Sequence, residues 1–410
     1  MTGVQTCALP IFRNGYLIAF DIGTTTVVCY LLSPAGQEMS VQSMLNPQCV
    51  YGADVISRIQ RALSGDLERL TASIRSAMSS MIEGCCRSAG VKLEEIGVVS
   101  VVGNPCMQQL FLGLSPENLA KPPFAPVLVK TDIVPAGEYL PICPNARLLI
   151  VPDISGYVGA DTVGCVLATD LLRDPKTTLL VDIGTNGEMV LTHQGRAVAC
   201  STAAGPALEG AGIQFGMRGV PGAIDHVWAE NGTILCSTIG AVESHGICGS
   251  GLIDAVAVLL ELGLINARGR IQSEDELNGQ RIIRLTEQVY LTQEDIRSVQ
   301  MAKGAIAAGI VLMAAQLDIS VSQIECAYLA GAFGNFLNPE NACRIGLLPP
   351  ELRGKIVSVG NAAGSGARMM ACNQAVFQAA GKAVEHIEFL ELASLPEFQR
   401  VFASQMRFSL

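Results

Sequence analysis

Phe20–Val28 reads F-D-I-G-T-T-T-V-V, and Val181–Met189 reads V-D-I-G-T-N-G-E-M. Both stretches place Asp-Ile-Gly-Thr between apolar runs that predict β-strands. A glycine after a strand lets backbone N–H groups approach an anion closely, and threonine hydroxyls add donors. An aspartate in the same turn needs a cation between itself and a bound phosphate, and Mg²⁺ is the usual one. The pair predicts two phosphate-binding turns, whereas either stretch alone could be an ordinary turn capped by its own side chains.

The strands and helices around the two turns repeat as well. Tyr16–Phe20 and Val27–Leu32 are predicted strands followed by helical patterning. Thr178–Val181 and Glu188–Thr192 restart the same order, with a boundary near Asp174–Thr178. This repetition predicts a duplicated α/β architecture of two lobes with a nucleotide cleft between them. Facing each other, the two turns would clamp the phosphates and the metal, which are the main needs of phosphoryl transfer.

The predicted lobes cover residues 13–176 and 177–410, with a C-terminal helix around 366–383 packing back towards the first lobe. Met1–Phe12 reads M-T-G-V-Q-T-C-A-L-P-I-F and looks like a translated sequencing-library adapter. We therefore predict that residues 1–12 are non-native, and we expect further natural sequence upstream.

Composition excludes several classes of function. The formal net charge of −10 argues against a broad nucleic-acid surface. No uninterrupted run of about 18 apolar residues is present, so we expect no membrane span. The 14 cysteines lack a C-x-x-C spacing, which favours buried reduced thiols in a cytoplasmic protein over a metal cluster. The chain also lacks a G-x-x-x-x-G-K-[ST] loop and a G-x-G-x-x-G after its first strand, which argues against P-loop and dinucleotide-binding folds.

Five regions, taken in order, resemble the superfamily of acetate and sugar kinases, seventy-kilodalton heat-shock chaperones and actin. The resemblance implies a two-lobed, ribonuclease-H-like (actin-like ATPase) fold. The regions are the first phosphate loop Asp21–Thr26, the first connecting helix Gly103–Gly113, the second phosphate loop Asp182–Glu188, the adenosine loop Ala330–Asn335 and the second connecting helix Gly360–Ala367.

Within that superfamily the chain resembles the ATPase domain of reductive activators of corrinoid proteins. The stretches that carry this resemblance include V-G-N-P-C-M-Q-Q-L-F-L-G-L, S-G-Y-V-G-A-D-T-V-G, C-S-T-A-A-G-P-A-L-E-G-A-G-I, G-I-C-G-S-G-L-I-D and A-K-G-A-I-A-A-G-I. Gln108 and Gln109 depart from the histidine that we expect at that place. The resemblance implies ATP hydrolysis coupled to reduction of a Co(II) corrinoid to Co(I), with ATP and Mg²⁺ as cofactors. A [2Fe-2S] or other iron–sulfur cluster would lie in a domain absent from this chain. The implied partner is a corrinoid protein or corrinoid-dependent methyltransferase, and a homodimer is compatible with it.

The resemblance and the charge argument together give each candidate residue a role. Asp21 and Asp182 are the predicted magnesium ligands, mostly through water. Asp153 is the predicted water-orienting residue, with Asp161 as its runner-up and Glu188 as a third candidate, and Asp182 and Glu188 complete the catalytic set. The alternative for Asp153 is a helix N-cap. The predicted nucleotide-binding residues are Asp21, Gly23, Thr24, Thr25, Thr26, Gly184, Thr185, Asn186, Gly187, Gly205, Lys303, Gly331, Ala332 and Asn335.

Other interpretations stay open at this point. Lys303 could be a solvated surface residue instead of a nucleoside contact. The four histidines (His193, His226, His245 and His386) show no ligand spacing, and Trp228 is predicted to be a packing residue. A small-molecule kinase for an acyl or sugar substrate is one alternative function. An activator of a 2-hydroxyacyl-CoA dehydratase is another, for which Cys165 and Cys200 flank the second loop.

Overall fold

The computed structural model describes residues 15–184, 186–334 and 336–408, except for the side chains of Ala332 and Phe333. Residues 1–12, Thr185 and Asn335 therefore lie outside the described residues. The strands are β1 (Tyr16–Ile22), β2 (Thr26–Leu32), β3 (Glu38–Leu45), β4 (Ile96–Gly103), β5 (Asp132–Pro135), β6 (Arg147–Ile150), β7 (Thr178–Ile183), β8 (Gly187–His193), β9 (Arg196–Thr202), β10 (Ala223–Glu230), β11 (Thr233–Thr238), β12 (Gly246–Ile247), β13 (Glu276–Leu277), β14 (Gln280–Arg284), β15 (Tyr290–Thr292), β16 (Cys326–Ala330), β17 (Ile356–Gly360) and β18 (Ile387–Phe389).

The α-helices follow the same chain order. They are α1 (Val55–Arg61), α2 (Leu67–Ala89), α3 (Pro105–Leu112), α4 (Ala160–Ala168), α5 (Gly249–Glu261), α6 (Gln293–Gln316), α7 (Gly331–Gly334), α8 (Pro339–Arg344), α9 (Ala362–Cys372), α10 (Gln374–His386) and α11 (Phe398–Gln405).

The chain divides into two compact units. Unit 1 comprises the described residues up to Arg173 together with Asn361–Phe389, and unit 2 comprises Asp174–Gly360 and the described residues from Leu390 onwards. The C-terminal helices α9 and α10 thus belong to unit 1, whereas α11 belongs to unit 2.

Unit 1 is built on a mixed sheet with the strand order β3-β2-β1-β4-β6-β5. β1 pairs antiparallel with β2 and parallel with β4, so Asp21 lies opposite Val28 on one side and Val102 on the other. Ile18, Phe20 and Ile22 alternate along β1 and are fully buried. They join a core that includes residues of α2 spaced four apart, namely Ile74, Met78 and Ile82.

Unit 2 repeats this arrangement with the strand order β17-β16-β7-β8-β9. β7 pairs antiparallel with β8 and parallel with β16, as β1 does with β2 and β4. Asp182 therefore occupies the position in β7 that Asp21 occupies in β1. The predicted duplication of an α/β unit is confirmed at the level of strand order and direction.

Helix α6 is long and apolar enough to cross a membrane by length and composition alone. Of its most apolar window, 78% is buried inside the protein. Ile306, Ile310 and Met313 are fully buried in the core of unit 2. A core helix satisfies the same criterion, and burial of this kind is what a core helix shows.

Sequence reasoning left most of residues 223–292 of unit 2 without strands. The structure places two further three-stranded sheets there, β11-β10-β12 and β13-β14-β15. Several of these strands have only two or three residues, which is too short to show an alternating pattern. Ser155 and Val158 form an isolated β-bridge ahead of α4.

Candidate nucleotide site

The first phosphate loop connects β1 to β2 as a tight hairpin. The N–H of Gly23 donates to the Thr26 carbonyl oxygen at 2.9 Å. A Cβ at residue 23 would lie 2.8 Å from that same oxygen, so the turn admits only glycine. This close approach is the physical reason for the glycine in the D-I-G-T motif.

Three consecutive carbonyl groups of this loop are bound from one side. Asn46 Nδ2 donates to the Gly23 oxygen at 2.9 Å, and Arg58 Nη2 donates to the Thr24 oxygen at 2.5 Å. The backbone N–H of Asn46 donates to the Thr25 oxygen at 2.9 Å.

The direction of these carbonyls fixes the direction of the N–H groups that follow them. In a trans peptide the C=O and the next N–H point in opposite directions. The N–H groups of Thr24, Thr25 and Thr26 therefore point away from Asn46 and Arg58, towards the other side of the loop. Successive N–H groups with a common direction form an anion-binding concavity, which is what phosphate binding by this loop requires.

Asn46 and Arg58 were not among the predicted site residues. Both are buried, with exposed fractions of 1% and 0%. Asn46 and Arg58 lie 23 and 34 residues after the loop glycine and threonine whose oxygens their side chains bind, and Arg58 falls in a segment whose only signal was helical periodicity. A charged residue that is fully buried cannot be distinguished in the sequence from one on the solvated face of the same helix.

The connecting helix α3 also holds the first loop. Asn104 caps this helix by accepting from the N–H of Met107 at 3.0 Å, and its Nδ2 donates to Thr24 Oγ1 at 3.0 Å. The G-N-P-C motif thus both starts a helix and orients a threonine of the phosphate loop.

Asp21 receives a hydrogen bond from the second connecting helix. Asn361 caps α9 by accepting from the N–H of Gly364 at 2.7 Å, which directs its Nδ2 to Asp21 Oδ2 at 2.8 Å. The same Nδ2 lies 3.3 Å from the hydroxyl of Tyr30. Burial and then the charge of Asp21 raise the pKa of Tyr30, so this phenol stays neutral beside the carboxylate. The magnesium role of Asp21 stays a prediction.

Asp182 in unit 2 is in close contact with the predicted adenosine loop. Gly331 has φ of +86°, and a Cβ at this residue would lie 2.5 Å from Asp182 Oδ1. Both the left-handed conformation and the limited space require glycine there. Gly331 and Ala332 begin α7, whereas the predicted contact Asn335 lies outside the described residues.

The second phosphate loop lies between β7 and β8. The N–H of Gly184 donates to the Asn186 oxygen at 2.9 Å. Gly187 is packed so that a Cβ would lie 2.9 Å from Thr202 Oγ1 and 3.1 Å from Ile306 Cγ1. Thr185, at the centre of this loop, lies outside the described residues.

The G-P-A-L-E-G stretch brings a further carboxylate to this loop. A Cβ at Gly184 would lie 3.7 Å from Glu209 Oε1, a residue that sequence reasoning did not select. Gly205 in the same stretch has φ of +78° with open space around it, so conformation rather than crowding requires glycine. Glu188 pairs opposite Asp182 and lies 3.5 Å from Ser201 Oγ.

Two family models match the chain. Residues 176–409 match the model described as the C-terminal domain of RACo, the ASKHA domain, and residues 16–174 match the RACo middle region. The chain belongs to the RACo family. It is 38% identical to the corrinoid activation enzyme RamQ of Eubacterium limosum, over 96% of this chain and 70% of that protein.

A second curated relative and a solved structure agree with this family. The [Co(II) methylated amine-specific corrinoid protein] reductase of Methanosarcina barkeri is 30% identical, over 84% of this chain and 68% of that protein. A solved structure of a reductive activator for corrinoid, iron–sulfur protein superposes with a TM-score of 0.84 at 34% identity, over 97% of this chain. This chain spans 66% of the length of that protein.

The comparisons confirm the predicted resemblance to reductive activators and the actin-like ATPase fold class. They favour neither the small-molecule kinase nor the 2-hydroxyacyl-CoA dehydratase activator. The roles predicted for individual residues are untested by these comparisons.

Asp153 of this RACo-family chain is enclosed in unit 1. Its side chain is 1% exposed, Gln108 Nε2 donates to Oδ1 at 2.9 Å, and the backbone N–H of Ala160 also donates to it. Burial, and secondarily the charge of Asp161, raise the pKa of this carboxyl well above its ordinary range. Asp153 thus accepts a hydrogen bond from the first turn of α4, as a helix N-cap would. The N-cap position itself is occupied by Gly159. Its water-orienting role stays a prediction.

Lys303 is not a solvated surface residue, so that alternative was wrong. It is 1% exposed, its Nζ donates to the Arg407 carbonyl oxygen, and it lies 5.4 Å from the centre of the Phe408 ring. Gln300, one turn earlier on α6, donates to the Met406 oxygen at 3.0 Å. This face of α6 holds the C-terminal segment, and the nucleoside contact of Lys303 stays a prediction.

The remaining polar candidates are separate from the phosphate loops. His226 Nδ1 lies 3.1 Å from Asp254 Oδ2, and Asn341 Nδ2 donates to Asp254 Oδ1 at 2.7 Å. Within the described residues, no group of three or more His, Cys, Asp or Glu could hold a metal ion. Trp228 is 44% exposed on β10, so it lies at the surface and not in the core, and its predicted packing role stays a prediction.

Proposed function

We propose that this chain is the ATP-binding and ATP-hydrolysing part of a reductive activator of corrinoid proteins. It would couple ATP hydrolysis to the transfer of one electron, which reduces Co(II) to Co(I) in the corrinoid of a partner protein. The observation that carries the proposal is the first phosphate loop, whose three consecutive carbonyl oxygens accept hydrogen bonds from Asn46 and Arg58, so that the three N–H groups that follow them point to the other side of the loop, where a phosphate would bind. Membership of the RACo family supplies the partner class.

ATP with Mg²⁺ fits the residues of both units. Each unit places an aspartate at the end of its first strand, directly before a glycine-bearing turn, and carboxylates are the ligands that Mg²⁺ takes in phosphate sites. We propose Asp21 and Asp182 as these ligands. Thr24–Thr26 and Gly184–Gly187 would donate hydrogen bonds to the phosphates. Mg²⁺ would neutralise the charge that develops during phosphoryl transfer.

We propose an iron–sulfur centre as the electron donor and a corrinoid protein or corrinoid-dependent methyltransferase as the acceptor. A cytoplasmic location fits the described cysteines, all of which are free thiols. Homodimer formation stays a prediction.

The proposal is tested by measuring phosphate release with ATP and Mg²⁺, with and without a Co(II) corrinoid protein. We expect the corrinoid protein to stimulate release and sugars or short carboxylic acids to leave it unchanged. Stoichiometric phosphorylation of a sugar or acyl acid, with no response to the corrinoid protein, would replace this proposal with the kinase function.

A further inference from the structure

Arg58 is a fully buried cation with unusual partners. Its Nε donates to the Gly52 oxygen at 2.9 Å and its Nη2 to the Thr24 oxygen at 2.5 Å. The remaining contacts are to sulfur, with Nη1 at 3.1 Å from Met107 Sδ and Nη2 at 3.2 Å from Cys49 Sγ. None of the carboxylates in the part of the chain that the structure describes forms an ion pair with it, although the charge of Asp54 acts on it from a longer distance. A buried charge is ordinarily paired, because desolvation costs several kcal/mol.

The groups around the guanidinium do not neutralise it. Backbone carbonyls are dipoles, and thioether and thiol sulfur atoms are weak acceptors. Burial lowers the pKa of Arg58, yet an arginine side chain keeps its proton in proteins. A whole positive charge therefore lies directly behind the first phosphate loop, on the side opposite the outward N–H groups of Thr24–Thr26.

We propose that Arg58 is a positioning residue of the phosphate loop, whose buried charge is balanced by the phosphates of the bound nucleotide. This inference rests on the proposed binding of ATP. Arg58 has two effects: it turns the Thr24 carbonyl inwards, and it adds a positive potential behind the N–H groups that face the anion.

The carbonyl groups on either side of Thr24 show that the charge of Arg58 has an effect apart from its hydrogen bond. Asn46 binds the Gly23 and Thr25 oxygens with neutral donors, at 2.9 Å in both cases. A neutral amide thus suffices to hold a carbonyl of this loop. The arginine adds long-range attraction for an anion, which is strong because few waters screen charges at a buried site.

The charge has opposite consequences for folding and for binding. Without nucleotide, the buried cation is a cost, but its hydrogen bonds to the Gly52 and Thr24 oxygens offset part of that cost, so removing the side chain should change the free energy of unfolding little. With nucleotide, the same cation attracts the phosphates, so removing it should weaken binding. A residue that only packed against or bound the loop would lower the free energy of unfolding when replaced, with no specific loss of affinity for the nucleotide.

The test compares Arg58→Met with Arg75→Met. Arg75 is an arginine of the same unit that donates to the Phe111 oxygen at 2.8 Å and lies over the Tyr139 ring. For Arg58→Met we expect at least a roughly tenfold weaker Kd for Mg²⁺-ATP by calorimetric titration, about 1.4 kcal/mol, with unfolding of the nucleotide-free protein at a urea concentration close to that of wild type. For Arg75→Met we expect an unchanged Kd.

A second pair keeps the inference falsifiable if Arg58→Met does not fold. Arg58→Lys and Arg58→Gln both lose the guanidinium fork, but only the lysine keeps the charge. We expect the lysine variant to bind Mg²⁺-ATP at least several-fold more tightly than the glutamine variant. Equal affinities for these two, or a stability loss in Arg58→Met with an unchanged Kd, would overturn the inference. A wild-type chain that does not bind Mg²⁺-ATP would instead overturn the proposed function.

Discussion

Replacing Gly331 with alanine tests whether this glycine positions the Asp182 carboxylate. The residue has φ of +86°, where an alanine costs roughly 1–2 kcal/mol. The new Cβ would also lie 2.5 Å from Asp182 Oδ1, which is closer than any normal contact. Because that oxygen ends a side chain, the contact is relieved by rotating the carboxylate, at a further cost of about 0.5–1.5 kcal/mol.

Gly354 provides the matched control. It lies in the same unit with φ of +71°, and a Cβ there would meet nothing within 4 Å. Gly354→Ala therefore carries the conformational cost without the contact. Gly354→Ala should lose roughly 1–2 kcal/mol of unfolding free energy, measured by urea denaturation, and Gly331→Ala roughly 1.5–3.5 kcal/mol.

Mg²⁺-ATP turnover should separate the two variants. If Asp182 binds the magnesium ion, rotating its carboxylate should lower turnover at least about tenfold in Gly331→Ala, since 1.4 kcal/mol of lost transition-state stabilisation gives that factor. Gly354→Ala should keep wild-type turnover. Equal turnover in the two variants would refute the role assigned to the Gly331–Asp182 contact.

Three further replacements address the other assigned residues. Asp182→Ala should abolish Mg²⁺-ATP turnover with an unchanged circular dichroism spectrum, and turnover in this variant would contradict the magnesium role. Asp275→Ala is the control and should be active, since Asp275 is a partly exposed aspartate of the same unit that pairs with Arg284. Burial raises the pKa of Asp153 in the native state, so ionisation costs stability as pH rises above the unfolded-state value of about 4. Asp153→Asn should thus gain unfolding free energy relative to wild type between pH 4 and pH 8, and a constant difference would contradict this. Lys303→Met should expose the C-terminal segment to carboxypeptidase, detected by mass spectrometry, because the segment loses its bond to the lysine, and a protected segment would contradict this. The Kd for ATP of the same variant tests the predicted nucleoside contact, which requires weaker binding than in wild type.

The duplicated fold was predictable because its signals are local. Each D-I-G-T motif combines an apolar strand, a glycine that the turn requires and a second strand within nine residues. Glycine at Gly23 is dictated by the contact with the Thr26 oxygen, so a sequence pattern reports the geometry directly. The two connecting helices were equally visible, since Asn104 and Asn361 precede small or apolar residues in the manner of N-caps.

The side chains that hydrogen-bond to the phosphate loop and to Asp21 were not predictable, because these hydrogen bonds are tertiary contacts. Arg58 meets Thr24 across 34 residues of sequence, and Asn361 meets Asp21 across 340. The burial of Lys303 was not predictable for the same reason, since its partners Arg407 and Phe408 come about 100 residues later in the sequence. Periodicity predicts which residues share a face, but not which element covers that face.

The most direct test of the proposed function is the absorbance of Co(I) in a Co(II) corrinoid protein under anaerobic conditions. The protein is mixed with this chain and a low-potential one-electron donor, with and without Mg²⁺-ATP, while phosphate release is followed in parallel. The account predicts that Co(I) forms with ATP, that it is accompanied by phosphate release, and that Asp182→Ala supports neither. Formation of Co(I) at the same rate without ATP would contradict the account. A rate of phosphate release that is unchanged by the corrinoid protein would also contradict it.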